Sequence, residues 1–188
     1  MGYSRNVFYS KLFIMKKYFK ITFLILFLGL FAFMSYEIIS KINHKKAIDE
    51  NIKTIPEFQY LKLDGSVFSN KSLKQDTATI FLYFNSECEH CQAEAQMVSE
   101  NREKFKPFQL VFISFETLYK IKNFAIQYKL IGYGNIHFLC DSKVTFATTF
   151  DVKSVPSLVL YDKNDHLIEK IKGQIKAEVL LRKFRITN

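Results

Sequence analysis

The sequence predicts an α/β domain, a central mixed sheet flanked by helices, preceded by one N-terminal transmembrane helix. Three observations predict it. From Pro56 onward short apolar runs alternate with helical patterns, which builds a sheet layered with helices. Near the C-terminus two strand patterns are joined by the turn Asp162-Lys163-Asn164-Asp165, and a closing hairpin makes the sheet mixed rather than all parallel. Residues 21–36 carry no charge and the apolar character resumes at Ile38 and Ile39, so residues 21–39 match the about 20 apolar residues of a spanning helix once Lys20 and Lys41 snorkel to the interfaces.

In chain order, residues 1–20 read as a cytoplasmic segment and 21–39 as a transmembrane signal anchor. A cleaved signal peptide is the rival, but Phe33-Met34-Ser35-Tyr36-Glu37 lacks the small-x-small pattern that cleavage needs. Met15-Lys16-Lys17 also reads as a natural start for such an anchor. Residues 40–55 are polar and weakly patterned, a linker to a domain over 56–188.

Within that domain, residues 58–63 and 66–68 flank Asp64-Gly65, a strong hairpin signal. Residues 78–84 (ATIFLYF) form a nearly continuous apolar run, as a central strand covered on both faces requires. Residues 89–104 follow as a helix with Cys91, Ala95 and Val98 along one stripe. The remaining pattern gives strand 109–115, helix 118–128, strand 136–139, helix 143–150, strands 157–161 and 166–170, and helix 176–184.

Charge narrows the function. Of the net +9, residues 1–46 hold +7, with eight Lys or Arg against Glu37, leaving +2 for the rest. The basicity belongs to the membrane flanks and leaves no nucleic-acid footprint. The positive-inside tendency places residues 40–188 outside a bacterial inner membrane crossed once, facing the periplasm or cell exterior.

The chemistry lies in Cys88-Glu89-His90-Cys91, which follows the apolar strand and opens a helix, the context that gives C-x-x-C a redox reading. At the helix start Cys88 faces unpaired N–H groups and the positive dipole end, which favour a thiolate. Cys91, one turn further in, is more shielded. Cys88 is therefore the expected nucleophile and Cys91 the resolving thiol. Position 94 borders the buried stripe, so burial raises the Glu94 pKa and lets it exchange a proton with Cys91, unless it is a solvated rim residue. Glu87 and Glu89 oppose a thiolate at Cys88, and His90 favours it when protonated.

This order of elements and residues resembles the thioredoxin superfamily, and within it the membrane-tethered thiol-disulfide reductases of the TlpA/ResA type, over most of residues 55–185. IPEF with Leu63-Asp64-Gly65, IFLYFNSECEHC and VKSVPSLVLYDKNDHLIEKIKG carry the likeness. It implies a cis Val155-Pro156 bond facing the dithiol, with Val155 and Pro156 binding substrate, and a buried acid at Glu94. It also implies extracytoplasmic protein disulfides or thiols as substrates, apocytochrome c among them, and a membrane electron-donor protein. Two departures stand out. The family's Trp before the first cysteine is replaced by Glu87 in a chain without Trp, and Ser154 stands where glycine is common.

The resulting expectation is a protein disulfide oxidoreductase with no cofactor beyond a Cys88–Cys91 disulfide, reducing client disulfides. A disulfide-forming oxidase is the alternative, since potentials in this fold span about −270 to −120 mV. A thiol peroxidase lacks its threonine and proline in Asn85-Ser86-Glu87, and a Cu(I)-handling module remains a non-enzymatic rival. Zinc is disfavoured because His137 and Cys140 lie an odd number of residues apart on a strand and point to opposite faces. Cys140 reads as a buried hydrophobe.

Overall fold

The computed structural model describes residues 23–24, 26–31, 33–42 and 50–186. The chain divides into two compact units, Met1–Ala47 and Ile48–Asn188. The described residues up to 42 are helical, yet among the described residues no helix is long and apolar enough to cross a membrane. Glu37 and Lys41 lie within the helical residues 33–42 and interrupt the apolar run that a bilayer core demands.

The finding corrects the transmembrane signal anchor at residues 21–39. With it go the membrane anchoring, the single-pass topology in a bacterial inner membrane and the lipid bilayer as a partner; the membrane electron donor loses its premise. The start at Met15 and residues 43–49 of the linker lie outside the described residues.

In the second unit, strands β1 (Gln59–Lys62) and β2 (Val67–Ser69) pair antiparallel around Asp64-Gly65. Gly65 sits at φ +82°, which favours glycine, and the Asp64 carboxylate accepts from the Ser66 amide and hydroxyl at 2.9 and 2.6 Å. Then come β3 (Thr79–Tyr83), helices α1 (Glu89–Glu100) and α2 (Arg102–Phe105), β4 (Gln109–Ser114), α3 (Leu118–Gln127), β5 (Ile136–Cys140), α4 (Phe146–Thr149), β6 (Ser157–Tyr161), β7 (Leu167–Lys172) and α5 (Ala177–Ile186). The sheet order is β2-β1-β5-β4-β3-β6-β7. β3, β4 and β5 are parallel, and β1, β6 and β7 enter antiparallel, so the sheet is mixed.

Two helices depart from the sequence pattern. The helix expected over 89–104 breaks at Asn101, where the backbone amide and the side-chain amide both donate to the Met97 carbonyl, at 3.1 and 2.9 Å. Asparagine competes with the helical ladder in this way. The helix expected over 143–150 shrinks to α4, because Val144 adopts φ +54° and the buried Asp141 carboxylate caps the Phe146 amide at 2.7 Å.

Strand alternation divides the core in two. Ile80, Leu82 and Phe84 face Cys91, Ala95 and Val98 of α1, Phe124 of α3 and Leu180 of α5. Phe81 and Tyr83 face Phe58, Tyr60, Phe146 and Phe150 on the other side. The register then fixes the site. Tyr83, the last residue of β3, lies opposite Ser157, the first of β6, so the segment leading into α1 and the segment leading into β6 meet at one end of the sheet.

Candidate active site

Cys88 is the N-cap of α1, extended at φ −84° and ψ 116°, with its carbonyl accepting from the Gln92 amide at 2.9 Å. Its sulfur therefore stands over the first helical turn, whose N–H groups have no partners within the helix. The half-buried thiol reaches across to the loop before β6 and donates to the Val155 carbonyl at 3.8 Å. The Val155-Pro156 peptide bond is cis. The loop is pinned by the Ser157 hydroxyl on the Ser154 carbonyl at 2.6 Å and by the Gly173 amide on the Pro156 carbonyl at 2.8 Å.

Cys91, Cys88 and Cys140 are all free thiols. Cys91 is completely buried, and that burial pushes its pKa up to about 12. The Asn85 backbone amide offsets part of the rise, while Cys88 and Glu94 add to it. One turn further along α1, Glu94 is also sealed from solvent. Burial raises its pKa to about 7, against the pull of the Ile175 amide, which donates to Oε2 at 3.0 Å. Its other oxygen, Oε1, has no partner among the described residues. A carboxyl that titrates near neutrality beside a thiol that holds its proton can exchange that proton with it.

The residues flanking the pair divide by exposure. Glu89 and His90 are exposed, and Glu87 is drawn into an ion pair with Lys120 of α3 at 2.6 Å. That pairing holds the Glu87 carboxyl below, and the Lys120 ammonium above, its usual range.

The sequence reading missed Glu116, which lies two residues past β4 and is buried. Its carboxylate accepts from the Ser86 amide at 2.6 Å, the Ser86 hydroxyl at 2.7 Å and the Ser114 hydroxyl at 3.2 Å. The Gln92 side chain adds a bond to the Ser86 carbonyl at 2.9 Å, so the segment that delivers Cys88 is held from two sides. An acid just beyond the end of a central strand, at the same sheet end as a C-x-x-C, was the available signal.

Cys140 stands apart from this arrangement. Its buried thiol, pushed up by burial and by Asp141, donates to the Glu116 carbonyl at 3.2 Å. His137 faces away from it, packing its ring on Phe68 at 4.9 Å, with its pKa lowered by burial and by Lys62. Among the described residues no group of three or more His, Cys, Asp or Glu side chains is placed to hold a metal ion.

Residues 52–170 match the model of the AhpC/TSA family. The chain is 28% identical over 166 residues to a thiol-disulfide oxidoreductase ResA of Bacillus cereus, covering 86% of this chain and 91% of that protein. The ResA of Bacillus thuringiensis subsp. konkukian is 27% identical over the same shares. Among solved structures, the fold is similar to a secreted Mycobacterium tuberculosis disulfide oxidoreductase, with a TM-score of 0.59 at 20% identity over 73% of this chain and 98% of that one. It is also similar to the peroxidoxin BcpB of Mycobacterium tuberculosis, with a TM-score of 0.62 at 18% identity over 72% and 96%.

Proposed function

Because the chain belongs to the AhpC/TSA family, we propose that its thioredoxin-like fold carries out thiol-disulfide exchange through Cys88 and Cys91, forming disulfides in protein dithiols. At the coarser level the protein is a redox enzyme of the thiol-disulfide oxidoreductase and peroxidase kind. The observation that carries the finer reading is the half-buried Cys88 sulfur at the mouth of α1, 3.8 Å from the Val155 carbonyl, with Cys91 sealed behind it.

Each turn oxidises one client dithiol, and an external disulfide acceptor then takes the two electrons from the Cys88–Cys91 pair and restores its disulfide. A client thiolate attacks Cys88 of the Cys88–Cys91 disulfide, the S–S bond breaks, and Cys91 leaves with the electron pair and takes a proton from the Glu94 carboxyl. A second client thiolate then attacks the client sulfur of the mixed disulfide and expels Cys88 as a thiolate. Two electrons pass from client to enzyme. Val155 and Pro156 line the approach, and the Val155 carbonyl is the acceptor that an extended client segment would use in place of the Cys88 thiol.

Direction rests on the reduced pair. Stabilising the dithiol makes a couple more oxidising, and here the Cys88 thiol has the Val155 carbonyl, Cys91 has the Asn85 amide, and Glu87 is neutralised by Lys120. The comparisons likewise favour the disulfide-forming alternative over the reduction of client disulfides put first in the sequence reading. Equilibrating the protein with glutathione tests this: a reduction potential above about −200 mV is expected, and a value near −270 mV overturns the direction. A second reading, thiol peroxidase, draws on the family match and on the peroxidoxin-like fold. Peroxide consumption that is lost on Cys88→Ser and kept on Cys91→Ser would replace the exchange reading with it.

A further inference from the structure

The two residues before the nucleophile are tied to a single cation. Lys120 Nζ stands 2.6 Å from Glu87 Oε1 and 3.6 Å from Glu116 Oε1. Glu87 is the residue preceding Cys88, and Glu116 is the buried carboxylate that holds Ser86 by its amide and its hydroxyl. Without the cation, two negative groups would act on the thiolate that forms at Cys88, one through its own neighbour and one through the segment that delivers it.

We propose that Lys120 is a positioning residue for the dithiol, bridging Glu87 and Glu116 so that the acids flanking Cys88 do not suppress its thiolate. The role rests on the reading of Cys88 as the sulfur that exchanges with the client and leaves as a thiolate. It supplies what Glu87 removes: an acid beside a nucleophilic cysteine opposes ionisation, and a cation in contact with that acid cancels its field at the sulfur. Lys120 is confined to this work by geometry. It starts from the first turn of α3, four residues after Glu116, and the ion pair with Glu87 spans 33 residues of sequence.

The Glu87 and Lys120 side chains are 74% and 48% exposed, so this ion pair contributes little to folding and its loss is read at the sulfur instead. The full chain is treated with iodoacetamide at pH 7 and the labelling of Cys88 followed by peptide mass. For Lys120→Met the rate is expected to fall about three- to tenfold at low salt, and the gap to shrink in 1 M salt, where charges more than about 3 Å apart are screened. The glutathione equilibrium should move toward the oxidised pair by a similar factor. Lys120→Arg restores the rate, and Glu87→Gln combined with Lys120→Met recovers most of it, because both charges leave together.

A Lys120→Met rate within twofold of the parent overturns the role, as does a double variant as slow as Lys120→Met alone. Alkylation needs no client. A slowed Cys88 in a protein that fails to exchange disulfides would therefore sink the proposed function while leaving Lys120 its effect on the sulfur.

Discussion

Cys88→Ser is expected to abolish disulfide exchange, a loss of about a thousandfold or more, because no other thiol among the described residues stands at a helix mouth within reach of a client. Cys91→Ser is expected to fail differently. Its Cys88 keeps the Val155 contact, and in the reverse of the exchange its thiolate still opens a client disulfide, but no Cys91 thiol is left to close back on it, so the mixed disulfide accumulates and can be isolated with its client attached. Gel mobility without reductant and mass analysis of the trapped species separate the two outcomes. A Cys88→Ser protein that keeps exchanging would place the chemistry elsewhere.

Glu94→Gln should make the protein more stable and the enzyme slower. Burial raises the Glu94 pKa from 4.5 to about 7 in the folded chain. Below pH 4.5 both folded and unfolded chains hold the proton and the residue costs nothing extra. Between there and about 7 the unfolded carboxyl ionises first, the unfolded state binds fewer protons, and stability falls as pH rises; above about 7 the penalty is constant at about 3 kcal/mol. Glutamine removes it, so denaturant unfolding should show Glu94→Gln stabilised by up to about 3 kcal/mol at pH 8 relative to its effect at pH 4. At the same time the Cys91 sulfur, whose thiol is held near pKa 12, loses its proton donor, and its departure from the disulfide should slow around neutrality. An unchanged difference between pH 4 and pH 8 would show that the carboxyl is solvated in both states.

The fold was legible where periodicity is strong. The apolar run that became β3 is buried at every position, and the Asp64-Gly65 turn fixes the β1-β2 register. Helix ends were not legible, because the breaks come from single side chains. Asn101 bonding Met97 and Asp141 capping Phe146 are tertiary details of residues that also sit well in loops. The apolar run at residues 21–39 misled for another reason: hydropathy marks an apolar segment but does not establish a helix long and apolar enough to cross a bilayer, and among the described residues there is none.

The dithiol was locatable because four adjacent residues carry it. Its supports were not, since Glu116 and Lys120 act on Ser86 and Glu87 from about 30 residues away, across a contact that only the β3-β4 pairing creates. The loss of the flanking Trp pointed to Glu87 as a problem for the thiolate. Its solution, a lysine on the next helix but one, carries no local pattern.

The central claim is that Cys88 and Cys91 form one redox couple. Equilibrating the full chain across glutathione ratios, quenching with an alkylating agent and mapping the peptides by mass should give a single two-electron transition that joins Cys88 to Cys91, with Cys140 alkylated as a free thiol once the chain is unfolded. A bond from Cys140 to either of them, or no Cys88–Cys91 bond at any potential between about −300 and −100 mV, would contradict it.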